Sequence, residues 1–370
     1  SAASSSNKGT LSVWVKPNIE GMNAAGGHLI NCDGTGGDLI VIDDATGILK
    51  IALNNNAEGN WTSAQSIQDP TQWTNIVVAF ELDNASATDR IQVYIDGVNV
   101  TDDGTFNNTF TDSDFDMCQN SIACNISGVT DYTSTSYLYD GYMAEYVWCD
   151  GQVLTSSSFG EVDSTTNRWI PKDVSGLTFG NNGFYLDFAD KNDLGDDESG
   201  NTNDWAESGF DTTNGSNQYY DTPTRNFAIM DPGRSSPGLS IGNLKQTSTF
   251  NGGNSRVPIA FGLTSGKWYF EFLMNDAETN ERSMYITQKD VFVATSGAQI
   301  HGATGHYSGY YSYNGNALTP GNVTSGTGET TAYGDVYGAA GDVISCAVDL
   351  DIGAIWWAKN GTWQASATEA

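Results

Sequence analysis

Short segments rich in β-branched and aromatic residues, each ended by turn residues, recur along the chain roughly every ten residues. Asp96-Gly97, for example, separates residues 91–95 from residues 98–100. An Asp-Gly dipeptide between two such segments favours the tight turn of an antiparallel hairpin. Apolar and polar residues alternate within the segments, so each predicted strand has one buried face. The pattern predicts an all-β fold built from antiparallel β-sandwiches.

The composition agrees with this fold class. The chain of 370 residues has 42 glycines, 16% charged residues and 38% apolar residues, enough to bury the cores of two or three domains. No segment repeats apolar residues with the spacing of an amphipathic helix over three turns, so little helix is expected. No apolar run approaches the ~20 residues of a membrane span, and residues 1–7 do not read as a signal peptide.

Three regions are predicted along the chain. Residues 1–166 have the most regular strand pattern and form the first sandwich. Residues 167–235 form an extended connector with one strand and several polar loops. Residues 236–370 form a second sandwich, which ends near a hairpin turn at Asn360-Gly361.

The net charge of −30 arises from 45 acidic and 15 basic residues. Nucleic acids and anionic membranes are bound through basic patches that neutralise phosphate, so neither is an expected partner. An acidic surface also keeps a protein soluble at high salt and attracts divalent cations. A salt-adapted surface and specific Ca²⁺ sites are therefore both compatible with the charge.

Five cysteines are too few and too scattered for a disulfide framework in a chain of this length. Cys118 and Cys124 are close enough in sequence to bridge a local loop. Cys32, Cys149 and Cys346 are predicted to be buried thiols. Cysteine usage therefore does not indicate the redox state of the compartment.

A catalytic function is not expected. Sandwich hydrolases of the laminarinase type carry their carboxylates in a Glu-X-Asp-X-X-Glu phrase on one strand, where alternation places them on one face. Glu161-Val162-Asp163 begins such a phrase, but no second glutamate completes it. The chain has only three histidines, which are too few and too dispersed for a local zinc site. A depolymerase with an unrecognised catalytic pair is kept as a third interpretation.

Four short sequence motifs follow one another along the first region. They are DPTQWTNIVV at 69–78, DRIQVYIDGV at 89–98, YDGYMAE at 139–145 and DGQVL at 150–154. In this order they resemble the laminin-G-like, concanavalin-like jelly roll of virion proteins from tailed phages, especially marine ones. Phrases in the connector, such as WIPK at 169–172, resemble the same proteins.

This resemblance implies a structural protein on the virion surface, displayed as a fibre, a spike or a capsid decoration. Its partners would be a host-surface polysaccharide or other virion proteins, with no insertion into a membrane. Displayed fibres are commonly homo-oligomers, so a homo-oligomer is expected. The alternative is a secreted or cell-surface carbohydrate-binding protein that uses the same modules outside a virion.

The last region resembles a SPRY domain, which is a β-sandwich binding module. The resemblance rests on SGKWYFEF at 265–272, GDVISCAVDLD at 341–351 and IWWAKNGT at 355–362. SPRY domains usually continue with another strand or two after such a turn, so this region is expected to be truncated at its C-terminus. Because Trp356 and Trp357 are adjacent on a strand, one is expected in the core and the other on the surface.

Laminin-G-like domains often hold Ca²⁺ at the rim of the sandwich, so the resemblance implies that one calcium ion is a possible cofactor. Asp112, Asp114 and Asp116 are the candidate ligands, because Ca²⁺ prefers carboxylate oxygens carried on loops. A solvated acidic loop is the alternative explanation for these aspartates.

Glycan binding calls for flat aromatic faces flanked by amides and carboxylates. Trp61 follows an asparagine in an expected exposed loop. The tyrosines of a Gly- and Ser-rich segment resemble the adaptable contacts of antibody loops; they are Tyr307, Tyr310, Tyr311 and Tyr313. These five aromatic residues are the predicted ligand-binding residues, and an ordinary surface loop is the alternative for the tyrosines.

Overall fold

Regular structure in the described part of this protein consists of β-strands and short 3₁₀ turns. The computed structural model describes residues 4–17, 26–33, 37–43, 46–69, 72–113, 115–119, 122–128, 137–210, 218–230, 239–240, 244–246, 265–275, 283–287, 307–311, 316–318 and 330–365. Within these ranges no helix is long and apolar enough to cross a bilayer. The predicted all-β fold class is confirmed. The chain divides into one unit of residues 1–249 and 256–261 and another of residues 250–255 and 262–370.

The first unit contains two six-stranded antiparallel sheets. Sheet A comprises, in spatial order, β14 (Phe184–Leu186), β11 (Gly141–Asp150), β1 (Lys8–Pro17), β6 (Thr74–Glu81), β7 (Ile91–Ile95) and β8 (Val98–Asn99). Sheet B comprises β10 (Cys124–Asn125), β2 (Gly27–Cys32), β3 (Asp38–Ile42), β4 (Ile48–Leu53), β5 (Gly59–Ser66) and β9 (Thr105–Asn108). Alternation along β1 directs Leu11, Val13 and Val15 into one buried cluster with Ile40 and Trp61 of sheet B, so the two sheets form a sandwich.

The outer face of sheet A is also covered. One apolar cluster joins Val147 and Cys149 of β11 to Phe159, Val174 and Phe179, which come later in the chain. A second cluster joins Trp14, Trp73 and Tyr142 to Ile229, with Trp169 packed against it. The described part of residues 167–235 therefore packs onto the first sandwich. This part contributes β14 to sheet A. It also contributes β13 (Trp169–Pro171), which forms a hairpin with β12 (Gly160–Val162).

The disulfide bond differs from the expected one. Cys32 of β2 is bonded to Cys124 of β10, and these residues face each other across the ladder of the two strands. The bridge between Cys118 and Cys124 that their proximity in sequence would allow is therefore not formed, and the prediction of a Cys32 thiol is wrong, because sequence proximity does not reveal which strands become neighbours. Cys149 and Cys346 are buried thiols as predicted, and burial raises the pKa of Cys149 to about 12.

The second unit contains two four-stranded antiparallel sheets. One comprises β17 (Lys267–Leu273), β22 (Val343–Asp349), β23 (Ala354–Lys359) and β24 (Thr362–Trp363), and the other comprises β18 (Ser283–Thr287), β19 (Tyr307–Tyr311), β20 (Asn316–Leu318) and β21 (Thr330–Ala332). Tyr310 of β19 lies in one buried cluster with Ile344, Cys346 and Trp357 of the first of these sheets. The remaining described strands, β15 (Leu239–Ser240) and β16 (Lys245–Gln246), pair with each other.

Candidate functional site

The sheet of β17, β22, β23 and β24 carries aromatic residues on its outer face. On β23, Trp357 points into the core of the second unit and Trp356 points the other way, as predicted for adjacent residues of a strand. The register places Trp356 beside Ala347 and Tyr269, and it places Trp363 in line with Ser345 and Glu271. We call the surface formed by Tyr269, Glu271, Ser345, Trp356 and Trp363 the aromatic face.

Two rings of the aromatic face are open to solvent. Tyr269 is 58% exposed and Trp363 is 42% exposed. Their ring centroids lie 6.5 Å apart, with the ring planes inclined at 66°. Large apolar side chains do occur singly on protein surfaces, but two in contact on one sheet face form a patch that a partner can cover.

A carboxylate lies next to these rings. The Tyr269 hydroxyl and the Ser345 hydroxyl, the latter at 3.2 Å, both donate hydrogen bonds to Oε1 of Glu271. The hydrogen bond to Glu271 raises the pKa of Tyr269, so this phenol stays neutral at physiological pH. The aromatic face therefore combines apolar ring surfaces with a fixed hydrogen-bond acceptor. This combination suits a ligand that has an apolar side and hydroxyl groups.

The expected exposure of Trp61 is wrong. Trp61 lies on β5, is completely buried between the sheets of the first sandwich, and donates its indole N–H to the carbonyl of Thr101 at 3.0 Å. The strand begins at Gly59, so alternation directs Gly59, Trp61 and Ser63 inward and Asn60 outward. Asn60, which precedes Trp61, therefore lies on the outer face of a strand and is not part of a loop.

The tyrosine segment is also not the expected exposed loop. Residues 307–311 form β19, and Tyr310 is completely buried, with its ring centroid 4.9 Å from that of Tyr337. Its hydroxyl donates to the carbonyl of Asp335. Tyr307 and Tyr311 lie on the same strand, whereas Tyr313 lies outside the described residues. Ser and Gly between the tyrosines suggested a loop, but pairing with β18 forms a strand.

A buried carboxylate organises one end of the first sandwich. Asp38, at the start of β3, accepts hydrogen bonds from the backbone N–H groups of Asn54 at 3.0 Å, Asp116 at 2.6 Å and Met117 at 3.2 Å. Burial nevertheless raises the pKa of Asp38 to about 6. One side chain thus holds the β4–β5 loop and the segment around residue 116 against β3.

This arrangement brings Asp116 near other acidic residues. Burial and the charges of Asp33 and Glu58 raise the pKa of Asp116. We call Asp33, Glu58 and Asp116 the acidic rim. Asp33 and Glu58 were not among the predicted calcium ligands, because they follow different strands and only the fold places them near Asp116. Of the other two predicted ligands, Asp112 is exposed and Asp114 lies outside the described residues.

Only a weak signal for the aromatic face is present in the sequence. Residues 267–273 have aromatic side chains at both odd and even positions, so their alternation does not show which side is buried. Trp268 is 40% exposed in β17, which is an edge strand. The opposite orientations of Trp356 and Trp357 could have located the face, because β23 and β17 both pair with β22, and the register places Trp356 and Tyr269 in line across it.

Comparisons with known proteins bear on the fold. No family model and no curated protein matches the chain. Domains LG4-5 of the mouse laminin alpha1 chain match 40% of this chain at 14% identity with a TM-score of 0.26. The binding domain of botulinum neurotoxin DC in complex with SialylT matches 41% at 12% identity with a TM-score of 0.28. The structure of HCR/D-Sa-GBL1/C matches 96% at 10% identity with a TM-score of 0.26.

The laminin match covers 36% of the laminin chain, and the neurotoxin match covers 34% of the neurotoxin domain. The chain thus spans about a third of the length of these two structures. The third match covers 70% of its structure. At these identities and TM-scores the matches support no functional statement. The resemblances to virion proteins and to SPRY domains stay predictions.

Proposed function

We propose that this chain is a glycan-binding structural protein of a tailed-phage virion, and that its second unit binds glycan on the aromatic face. One observation carries the binding proposal: Tyr269 and Trp363 are exposed in contact with each other, and Glu271 is hydrogen-bonded beside them. Covering these rings removes apolar surface from water, which favours association with a partner of matching shape.

A neutral glycan fits the aromatic face better than an anionic one. The chain has a net charge of −30, and Glu271 places a carboxylate next to the rings, so a sulfated or uronic-acid polymer would be repelled. The C–H side of a pyranose ring can stack on Tyr269 and Trp363, and the sugar hydroxyls can donate hydrogen bonds to the carboxylate of Glu271.

Affinity electrophoresis of the full chain tests this proposal, with a neutral glucan in one gel and a sulfated galactan in another. The glucan should slow the protein, and Trp363→Ala and Tyr269→Ala should each weaken binding about tenfold, which corresponds to about 1.4 kcal/mol. Phe210→Ala is the matched control, because Phe210 is 53% exposed and lies on the first unit. Equal retardation of the wild type and Trp363→Ala would contradict a site on the aromatic face.

The virion role is supported by the four sequence motifs between residues 69 and 154, which resemble those of virion proteins from tailed phages. Antibody labelling of particles from the source culture, viewed by electron microscopy, tests this role. Label on virions is expected, and its position would distinguish a capsid decoration from a fibre or spike. Label on cells or in the medium, with bare particles, would instead support the secreted or cell-surface carbohydrate-binding protein.

Binding is proposed to occur without hydrolysis. The chain lacks a Glu-X-Asp-X-X-Glu phrase, which in sandwich hydrolases supplies both catalytic carboxylates from one strand. Incubation of the full chain with the glucan that it binds should release no reducing ends. Release of reducing sugar that persists after further purification would favour the depolymerase interpretation.

Calcium is proposed to bind at the acidic rim. Ca²⁺ takes six to eight oxygen ligands, and carboxylates on loops are its usual protein ligands. Burial raises the pKa of Asp116, and repulsion from Asp33 and Glu58 adds to the shift; a divalent cation would relieve this repulsion. Asp33, Glu58 and Asp116 would supply the carboxylates, and the ion would hold together the loops that Asp38 already connects.

A further inference from the structure

A buried lysine, asparagine and aspartate meet on the outer face of sheet A. Nζ of Lys16 lies 2.6 Å from Oδ2 of Asp221 and 3.0 Å from Oδ1 of Asn226. The side chain of Lys16 is 0% exposed and that of Asp221 is 1% exposed. Lys16 is on β1, whereas the other two residues are more than 200 positions later in the chain, with a separation of 210 between Lys16 and Asn226.

The surroundings of Lys16 are apolar. Lys16 lies on the same face of β1 as Trp14 and pairs in the ladder with Tyr142, and both aromatic residues belong to the apolar cluster that contains Ile229. Burial is the largest influence on the ammonium group and lowers the pKa of Lys16, although Asp221 opposes the shift. A neutral lysine amine is a nucleophile, so burial prepares this side chain for reaction.

We propose that Lys16 and Asn226 form an intramolecular isopeptide bond, with Asp221 acting as the proton carrier. Nζ of Lys16 attacks Cγ of Asn226, the bond between Cγ and Nδ2 breaks, and ammonia leaves. Asp221 accepts the proton that Nζ loses and passes it to the departing Nδ2. The products are a secondary amide and one ammonia molecule, so the reaction needs no oxidant, reductant or cofactor.

The geometry supports each of these roles. Since a C=O bond is about 1.2 Å long, Cγ of Asn226 lies no more than about 4.2 Å from Nζ, whereas reacting atoms in a near-attack arrangement are about 3–3.5 Å apart, so a small movement of either side chain suffices. For attack, Nζ gives up the hydrogen bond to Oδ1 and turns its lone pair towards Cγ. Asp221 is held in place because its Oδ1 accepts the backbone N–H of Phe227 at 3.1 Å, which leaves Oδ2 directed at Nζ.

Mass spectrometry of the full wild-type chain tests the proposal. The reduced protein should be lighter than its sequence mass by about 17 Da, the mass of ammonia. Because an Asn-Gly succinimide gives the same loss, the cross-linked peptide must be identified. Trypsin cuts after Lys8, Lys50, Arg225 and Arg234 but not between Lys16 and Pro17, so the expected product joins residues 9–50 to residues 226–234.

Variants assign the roles of the three residues. Asn226→Ala and Lys16→Met remove a reacting group and should restore linear peptides with no loss of mass. Asp221→Asn keeps both reacting groups and should also give linear peptides, provided that hydrogen exchange in β1 and β11 shows a folded sandwich.

Two results on the wild-type protein would overturn the proposal, and neither depends on a variant that folds. One is a linear peptide of residues 226–234 in stoichiometric yield. The other is a cross-link from residues 9–50 to residues 192–225 with loss of about 18 Da, the mass of water, which would make Asp221 the acceptor.

Discussion

Trp356 and Trp357 show that residue type alone does not determine exposure. They are neighbours on β23, yet Trp357 lies in the core of the second unit and Trp356 lies on the aromatic face. Trp61 and Trp363 differ in the same way, since Trp61 is completely buried and Trp363 is 42% exposed. The period of two along a strand accounts for each of these placements once the register is known.

Truncation of Trp61 should damage the fold, whereas truncation of Trp363 should not. We expect Trp61→Ala to lower the free energy of unfolding by about 3–5 kcal/mol, because it leaves a cavity and removes the hydrogen bond to Thr101. Trp363→Ala should change it by about 0.5 kcal/mol or less, as is usual for exposed residues. Urea denaturation of both variants measures the difference, and equal losses would contradict these placements.

The acid–base behaviour of Asp38 should appear in the stability of the first unit. An ordinary aspartate titrates near pH 4 in the unfolded chain, and burial raises the folded-state pKa to about 6. The folded state therefore holds the proton more tightly. This stabilisation is fully present below about pH 4 and is lost as the pH rises through about 6.

The shift of about 2 units corresponds to about 3 kcal/mol between pH 4 and pH 7. We expect Asp38→Asn to lose this contribution to the pH dependence, because an amide does not titrate. Urea denaturation at a series of pH values gives the difference between the wild type and the variant. A difference that stays constant across this range would contradict the raised pKa.

At the scale of elements, the Asp96-Gly97 turn was predicted correctly and the long-range pairing of Cys32 was not. The Asp96-Gly97 turn joins β7 to β8, and both residues have positive φ angles, of 48° and 84°, as a two-residue hairpin requires. The residues that determine such a turn are adjacent in the sequence. The partner of Cys32 depends instead on β10 joining the edge of sheet B, which no local pattern specifies.

The disulfide should contribute substantially to the stability of sheet B. Cys32 and Cys124 are 92 residues apart, and closing a loop of that length destabilises the unfolded chain by about 4.6 kcal/mol in the chain-entropy model. Reduction should therefore accelerate hydrogen exchange in peptides from β2 and β3. The Cys32→Ala/Cys124→Ala double variant is the control, since reductant should leave its exchange unchanged. An equal response to reductant in both proteins would contradict the role of this bond.

At the scale of the whole molecule, the sequence predicted the fold class and only part of the candidate site. Alternation and turn dipeptides suffice for an all-β protein, because they act within single strands and hairpins. The aromatic face and the acidic rim each combine residues from separate strands or loops, such as Glu271 with Trp363 and Asp33 with Asp116. Only the register and the loop packing bring these residues together.

The net charge and the acidic rim make different predictions for added salt. Sodium chloride should raise the melting temperature gradually, because it screens repulsion among the excess acidic groups. Calcium at matched ionic strength should raise it further, and chelation should reverse that increment. Glu58→Gln should abolish the additional increase in melting temperature caused by calcium and should retain the increase caused by sodium chloride. An unchanged melting temperature on chelation would eliminate the calcium proposal.

The position of β1 in the middle of sheet A has a consequence for synthesis. Of the strands of sheet A, β1 leaves the ribosome first, but its partner β11 ends at residue 150, and Gly9 pairs with Asp150. At ordinary translation rates the interval between them is on the order of 10 s. During that time a strand that is almost wholly buried in the folded protein has no complete sheet to join. The first unit therefore assembles late in translation, and its N-terminal strand is a natural substrate for chaperones that act on nascent chains.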